Sequence, residues 1–422
     1  MPELREAQAL LATLTETDEV KAAIAQQKRR FELQTAYGQA LLWSKGFAAE
    51  ETKAAFDRAR ELAGPSTDAA SLFSVRYEEF TRGFIGGDMR SARAIAEDFP
   101  RDAEAGGFAM EAVVGRRILG SVSLSLSQGD LGQARTHLER VLVDYAPDRD
   151  VEARLRFGMD TRIVALTYLA LASWHLGEVE RSRLLIEAAV RLAAESGHAT
   201  TLAFAYNYQT MIEARRGDPA AALALAGRLA DHCREHGIEY FLKAGESWST
   251  WARARSLGSR ADPAELAEDL ADQKRRDSWI VLPFYFGLLG EIEAAAGNLD
   301  RGLARIGEGL AIAERIGERY TDSFLLRLRG DVLAKRAPDD PAPAEDAYRT
   351  ALAVAKQQES RSYELIAALA LAKLYRSTDR LADAHAALAP ALEGFAPTPE
   401  MPEIAEAQAV LAAAGPVRAK SY

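Results

Sequence analysis

The chain of 422 residues has only one cysteine, Cys233, which excludes a disulfide framework and any cysteine-rich zinc site. Basic residues are fewer than acidic ones, with 52 Lys and Arg compared with 62 Asp and Glu. The net charge of −10 argues against nucleic acid as a partner, since binding a polyphosphate requires a basic face.

Long hydrophobic runs are missing as well. The longest extends from Ile163 to Trp174, which is too short to span a bilayer, and it ends at His175. The first 20 residues do not show the pattern of a signal peptide. With 48% hydrophobic and 27% charged residues, the composition is that of a folded chain. We therefore expect a cytoplasmic protein with no membrane partner.

Catalytic motifs are not found in the sequence. It contains no phosphate-binding loop, no Gly-x-Gly-x-x-Gly and no Gly-x-Ser-x-Gly elbow. The nearest approach to a metal motif is His232-Cys-Arg-Glu-His236, and it lacks a carboxylate at the spacing of a zinc protease. We interpret it as a solvated helix end before Gly237. The sequence thus predicts a non-enzyme with no catalytic, cofactor-binding or metal-binding residues.

What the chain does contain is helical. Ala, Leu, Glu and Arg are abundant, and these residues favour helices. Apolar residues recur every three or four positions, as in Leu303, Ile306 and Leu310, whereas alternating strand patterns are not convincing. The run from Val281 to Phe286 resembles a strand, but Pro283 fits the first turn of a helix better.

Turns punctuate this helical pattern at a regular period. One series begins at Gly87, Gly129, Gly177, Gly217, Gly258 and Gly297, with a degenerate copy at Asp379. The first five spacings are 42, 48, 40, 41 and 39 residues, and the last is 82, or twice 41. A second series, forty residues apart, lies at Gly197, Gly237, Asp277, Gly317 and Gln357. Two interleaved series indicate repeated pairs of antiparallel helices that must stack on their neighbours.

Packing positions identify the repeat. The residues around the Gly297 turn match the large, small and apolar positions of a tetratricopeptide repeat: Phe286, Leu289, Gly290, Gly302, Ile306 and Gly309. Small residues let two helices approach closely, and large ones fill the remaining space. We predict an all-α fold, a tetratricopeptide-like α-solenoid that forms a right-handed superhelix of about eight or nine hairpins.

Stretches that interrupt the repeat pattern predict a division of the chain into three segments. Residues 1–150 would form N-terminal hairpins, 151–395 C-terminal hairpins, and 396–422 a capping helix and tail. The boundary at 150 rests on the polar loop Tyr145–Asp150. Pro2–Leu14 is interpreted as the second helix of a hairpin whose first helix is missing, so we expect a longer N-terminal partner.

The first helices of successive hairpins should line a concave groove. Counting back from each turn places these residues in it: Asn207, Met211, Ser247, Trp251, Glu291, Arg327, Asp331, Lys373 and Arg376. Amide, aromatic and charged groups on one wall suit a protein or an extended peptide. An ordinary solvated surface is the alternative.

Several segments resemble the C-terminal repeat region of class III adenylate/guanylate cyclases that are fused to an AAA-type signalling ATPase in bacteria. They are residues 156–177, 195–198, 317–331, 361–375 and 388–395. Related ATPase–repeat regions also occur behind winged-helix DNA-binding domains. The cyclase and ATPase domains themselves have no counterpart in this sequence.

The resemblance implies a sensory, regulatory module that gates a cyclase or ATPase domain in cis or in trans. Two alternatives remain open. One is a small-ligand sensor, or an enzyme, with an aromatic pocket near Trp248, Trp251 and Tyr285. The other is the repeat half of an ATPase-type transcriptional regulator that lacks its DNA-binding head.

Overall fold

The structure is a computed structural model that describes residues 2–45, 49–63, 69–126, 130–150, 153–257 and 262–414. This part of the chain folds into helices and contains no strand. The first ten helices are α1 (Pro2–Lys45), α2 (Glu50–Leu62), α3 (Ala69–Gly86), α4 (Met89–Ala105), α5 (Ala109–Leu126), α6 (Leu131–Asp144), α7 (Pro147–Asp150), α8 (Ala153–Phe157), α9 (Thr161–His175) and α10 (Val179–Ser196). The remainder are α11 (Ala199–Arg215), α12 (Pro219–His236), α13 (Glu239–Leu257), α14 (Ala264–Arg275), α15 (Leu282–Ala295), α16 (Leu299–Ile316), α17 (Asp322–Arg336), α18 (Ala342–Gln357), α19 (Arg361–Ser377), α20 (Leu381–Leu392) and α21 (Pro402–Ala414).

Left-handed turns separate the paired helices. Gly177, Gly217 and Gly297 have φ of +84°, +74° and +90°, a region that glycine enters without a steric penalty. The degenerate turn at Asp379 also has a positive φ, +57°. The predicted turns are therefore confirmed at these positions, while Gly129 and Gly258 lie outside the described residues.

The second series of turns is also present, with one shift. Gly197, Gly237 and Asp277 have φ of +64°, +67° and +56°. The prediction at Gln357 was wrong by two residues, because α18 continues to Gln357 and the left-handed residue is Glu359. Pro283 lies in the first turn of α15, as its fixed φ suggested.

The paired helices form an inner and an outer layer. Nearly every residue of the inner helix α9 is buried. Its partner α10 buries a single stripe spaced by three or four residues, including Ser182, Ile186 and Ala189. The other inner helices are α3, α5, α11, α13, α15, α17 and α19. Tetratricopeptide-like stacking of helical hairpins is the fold of this chain.

The N-terminal helix differs from the sequence prediction. Residues 2–14 are not a separate second helix, because α1 continues without a break to Lys45 and pairs with α2. At the other end, α21 packs against α19 and α20. The segment after Tyr145 contains the two short helices α7 and α8. The proposed division of the solenoid at residue 150 stays a prediction.

Successive turns of the superhelix touch each other. The backbone N–H of Trp279, just before α15, donates to the carbonyl of Ile85 in α3 at 2.9 Å. Arg319, just before α17, donates in the same way to Ser125 in α5 at 2.9 Å. Ser360, before α19, lies 3.0 Å from the ring of His175 in α9.

This contact pattern has a constant offset along the chain. From α3, the inner helices α5, α9, α11, α13 and α15 follow in order, so the end of one inner helix meets the start of the fifth one after it. Trp43 of α1 obeys the same offset, because its ring stacks on Phe241 of α13 at 5.4 Å. The inner helices therefore enclose an axial lumen rather than an open groove.

Candidate functional site

The C-terminal part of the lumen contains a cavity of about 450 Å³, called the C-terminal cavity below. Inner helices from α11 to α19 supply most of its wall, and α21 closes one side. Its aromatic lining residues are Trp174, Trp251, Phe284, Phe324, Tyr348 and Tyr363. Its charged lining residues are Arg215, Arg255, Arg327, Lys373, Glu291, Asp331, Glu403 and Glu406. A volume of this size lies within the range of ligand pockets, roughly 300–1,000 Å³.

Most of the charges in the C-terminal cavity are paired. Arg255 contacts Glu291 at 3.0 Å, and Lys373 contacts Glu406 at 2.5 Å.

Arg327 forms an ion pair with Asp331 one helical turn away, and Tyr348 donates its hydroxyl to the same carboxylate at 2.7 Å. The indole of Trp251 donates to Glu291 at 3.3 Å. These pairs neutralise the wall and hold its side chains in place.

Among the described residues, Arg215 is the one cation of this cavity without an acidic partner within 4 Å, and Glu403 is the one acid outside these three pairs. It is the last residue of α11, only 9% exposed, and lies over the ring of Phe284 with 4.4 Å between the guanidinium carbon and the ring centre. Its three guanidinium nitrogens are buried and make no hydrogen bond of normal geometry. The Tyr320 hydroxyl is its polar neighbour. Arg215 lowers the pKa of this phenol through its charge and a loose hydrogen bond, although burial raises that pKa more strongly. A buried cation normally requires an anionic partner.

A buried acid lies behind this arginine. Glu318 is fully buried, and burial raises the pKa of its carboxyl to about 8. The carboxylate accepts the N–H of Val281 at 3.0 and 3.2 Å. Val281 has φ of +62°, which is strained for a β-branched residue, so Glu318 supports the start of α15. The charge of Arg215 lowers the pKa of Glu318, but the two side chains form no ion pair within 4 Å in the described part of the chain.

The structure brings five of the nine predicted groove residues to the C-terminal cavity. They are Trp251, Glu291, Arg327, Asp331 and Lys373. Their role in binding stays a prediction.

The other four residues do not face this cavity. Met211 and Ser247 are fully buried, and the Ser247 hydroxyl donates to Asp269 of the outer helix α14 at 3.3 Å. Asn207 is also buried, and it accepts the indole N–H of Trp248 at 3.0 Å. Arg376 is exposed and does not line the cavity. Helical spacing alone does not reveal how the superhelix closes, and the binding role of these four residues stays a prediction.

Sequence reasoning missed Arg215 and the aromatic residues that contact it. The only local signal was an arginine two positions before the Gly217 turn, which is also the usual position of a cation at a helix end. Trp174 and Tyr363 come together from α9 and α19, with ring centres 4.9 Å apart. Their separation of 189 residues gives no pattern that a reader of the sequence could detect.

A second, smaller cavity of about 80 Å³ lies in the first turn of the lumen and is called the N-terminal cavity. Its wall is mainly aromatic and aliphatic, and includes Tyr77, Phe84, Tyr168, Phe204, Phe241 and Ile280. Arg117 of α5 is its one charged lining residue in the described part of the chain. The aromatic residues named for a ligand pocket lie elsewhere: Trp248 belongs to the buried core, Tyr285 lines a separate cavity of about 50 Å³, and Trp251 faces the C-terminal cavity.

The His-Cys-His motif ends α12. Cys233 is buried, which raises the pKa of its thiol to about 12, and the rings of His232 and His236 lie 4.4 Å apart. Among the described residues, no group of three or more His, Cys, Asp or Glu side chains is placed to hold a metal ion. None of the helices in the described ranges has the length and apolar character needed to cross a bilayer.

No family model matches the chain. An uncharacterized protein of Rhizobium meliloti (strain 1021) is 23% identical over 215 residues, which make up 51% of this chain and 21% of that protein. The chain therefore matches about one fifth of the length of this relative.

Solved structures share the architecture. A Rap protein complexed with Competence and Sporulation Factor has a TM-score of 0.52 and 11% identity, over 81% of this chain and 97% of that one. A signal transduction ATPase with a tetratricopeptide repeat sensor, from Pyrococcus horikoshii, has a TM-score of 0.40 and 13% identity, over 92% of this chain and 59% of that one. The likeness to the Rap structure supports the α-solenoid fold and goes no further.

Proposed function

We propose that this chain is a non-catalytic repeat module that binds a peptide or protein segment in the C-terminal cavity. The observation that carries this proposal is Arg215, a buried guanidinium that faces a 450 Å³ cavity and has no hydrogen-bond partner of normal geometry. A carboxylate of the bound segment would supply the missing acceptors.

The rest of the cavity wall suits a peptide better than a simple anion. An extended peptide presents backbone donors and acceptors in alternation. The Arg255–Glu291 and Lys373–Glu406 pairs offer both kinds of group close together. Phe284, Phe324 and Tyr363 line the cavity with apolar surface, against which side chains of the segment would pack.

The binding would regulate an attached or associated domain. Support for this finer role comes from the sequence segments that resemble the repeat region of cyclase–ATPase signalling proteins. In that role, a bound segment would change the contacts between superhelical turns, such as those of Trp174 with α19, and thereby gate an ATPase or cyclase domain in cis or in trans.

A random octapeptide library with free carboxyl termini, selected against the immobilised chain, tests the binding. We expect enriched peptides to lose at least about tenfold in affinity for Arg215→Met, because a charge-assisted hydrogen bond disappears. Asp331→Arg should weaken binding too, since it removes the partner of Arg327. Affinities are measured by fluorescence anisotropy.

Arg191→Met is the matched control, because Arg191 is exposed on the outer helix α10. It should bind the peptides within about twofold of the unmodified chain. A library that yields no binder of micromolar affinity, or binders that do not distinguish Arg215→Met from the control, would contradict the proposal.

A small-ligand sensor is the second candidate, and the placement of Trp251 favours it. This indole borders the C-terminal cavity and donates to Glu291 at 3.3 Å, so a ligand there would alter its fluorescence. Titration with nucleotides and metabolites should give saturable quenching that Trp251→Phe abolishes. Quenching that survives this substitution would place the ligand elsewhere.

A further inference from the structure

A second buried arginine lies in the N-terminal part of the lumen. Arg117 of α5 is 2% exposed and lines the N-terminal cavity. Its Nε and Nη2 atoms are buried and have no hydrogen-bond partner. The guanidinium carbon lies 5.2 Å from the centre of the Tyr77 ring, which partly offsets its charge.

No carboxylate of the described residues forms an ion pair with Arg117. Glu111, on the same helix, pairs with Arg156 at 2.6 Å, and Glu78 on α3 pairs with Arg60 at 3.2 Å.

Two hydroxyl groups of the wall donate to their own helices, while that of Tyr208 donates to the Tyr168 hydroxyl at 3.4 Å. Ser121 donates to the carbonyl of Arg117 at 2.9 Å, and Thr81 donates to that of Tyr77 at 2.9 Å. Tyr168 of α9 is close enough for Arg117 to lower its pKa, although burial raises that pKa more strongly. The cation therefore has hydroxyls and rings around it but no anion.

Most of the remaining wall is aromatic and aliphatic, with Asn207 and the tyrosine hydroxyls as its polar groups. Phe80, Phe84 and Ile118 contribute from α3 and α5, and Phe204 and Phe241 from α11 and α13. The volume of about 80 Å³ compares with roughly 10–15 Å³ for one buried water. A molecule of a few non-hydrogen atoms would fit, and an apolar one would be favoured over water.

We propose that the N-terminal cavity binds a short-chain monocarboxylate, with its carboxylate on Arg117 and its hydrocarbon chain among the surrounding rings. A single guanidinium offers two parallel N–H groups, which match one carboxylate. Inorganic phosphate fits less well, because its charge is spread over four oxygens and most of the wall is aromatic and aliphatic surface that would desolvate them. This site and ligand class are separate from those of the C-terminal cavity.

Fluorine NMR of the full chain labelled with 5-fluorotryptophan tests the proposal. The five tryptophans give separate reporters, of which Trp43 lines the N-terminal cavity and Trp251 the C-terminal one. Trp→Phe variants assign the two resonances. Butyrate should shift the Trp43 resonance saturably and leave Trp251 unchanged, whereas its neutral isostere butyramide and inorganic phosphate should bind at least about tenfold more weakly.

Arg117→Met should weaken the binding of butyrate at least about tenfold. The control Arg162→Met, which removes an exposed charge on α9, should leave the affinity for butyrate unchanged. The melting temperature of Arg117→Met without ligand should equal or exceed that of the unmodified chain, because an unpaired buried charge has been removed. This second readout separates lost binding from lost folding.

Three results would overturn the inference. They are an unmoved Trp43 resonance at 100 mM butyrate, equal affinity for butyrate and butyramide, or a lower melting temperature for Arg117→Met, which would show Arg117 to be a structural residue. None of them bears on peptide binding at Arg215, so the two proposals fail or survive separately.

Discussion

The two cavities are opposite ends of one lumen, and the same helices build both. On α11, Phe204 lines the N-terminal cavity and Arg215 lines the C-terminal one. On α13, Phe241 lines the N-terminal cavity and Trp251 lines the C-terminal one. The position of a residue along an inner helix, rather than the helix it belongs to, therefore decides which chemical environment it enters.

The difference between the cavities is one of charge compensation. In the C-terminal cavity three cations have acidic partners and one, Arg215, has none within hydrogen-bonding distance. In the N-terminal cavity the single lining cation, Arg117, has an aromatic neighbour in place of an acid. A polar wall with one unpaired cation suits a peptide, whereas an apolar wall with one cation suits a small amphiphilic anion.

Removing a tryptophan from each cavity should give the largest effect on stability, and it tests directly whether the two cavities differ. Trp174 is 2% exposed and packs on Tyr363, so Trp174→Ala should lower the free energy of unfolding by about 3–5 kcal/mol. Trp43→Ala should lower the free energy of unfolding by less than half as much, because it releases only the N-terminal helix α1 from α13 and leaves the other helices packed. Urea unfolding gives both values.

Hydrogen exchange provides the control for this pair. Faster exchange should stay within the described parts of α1 and α2 for Trp43→Ala, but extend from α9 to α19 for Trp174→Ala. Equal destabilisation with global exchange in both variants would show that the two ends of the lumen form one cooperative unit.

Glu318 lies between the two cavities and should make stability depend on pH. Burial raises the pKa of this carboxyl from its ordinary 4.5 to about 8 in the folded chain. Between these values the folded state binds more protons than the unfolded state. The free energy of unfolding should therefore fall as pH rises from about 4.5 to 8, with a slope approaching 1.4 kcal/mol per pH unit.

Glu318→Gln removes this titration and retains an acceptor for the N–H of Val281. Its stability relative to the unmodified chain should rise steadily from pH 5 to pH 8 in urea unfolding experiments. Asp322, whose pKa burial raises to about 6, contributes in the same direction in both proteins, and its charge also raises the pKa of Glu318 in the unmodified chain. Glu180→Gln, at an exposed position of α10, is the control. Parallel stability curves for the Glu318→Gln and unmodified chains would contradict this role.

Much of the fold could be predicted because its signals are local. The turns at Gly177, Gly217 and Gly297 are confirmed by their positive φ, and Pro283 marked the start of α15. The two-residue error at Gln357 has a local cause too: the left-handed position is taken by Glu359, where glycine would be the usual marker.

The site was less accessible because it depends on closure of the superhelix. Counting back from the turns found Trp251, Glu291 and Arg327, which face the wide C-terminal cavity. The same count on α11 and α13 gave Met211 and Ser247, which are buried. Contacts between residues almost 200 positions apart, such as Trp279 with Ile85, decide this difference and leave no periodic trace in the sequence.

The smallest effect should come from two glycines on the paired helices α12 and α13, one facing open space and one at the helix contact. A Cβ added at Gly227, on the outer helix α12, would meet nothing within 4 Å, so Gly227→Ala should stabilise the chain by about 0.5–1 kcal/mol through helix propensity. A Cβ at Gly245, on the inner helix α13, would lie 3.3 Å from the backbone of Ala226 and Ala230. There the gain in propensity is opposed by a backbone that must shift, so Gly245→Ala should be the less stable of the two. Thermal melts of both variants measure the difference. A greater gain for Gly245→Ala would mean that the inner helix α13 can move away from its outer partner α12 without cost, and two cavities lined by such a loosely held inner layer could not be treated as preformed sites.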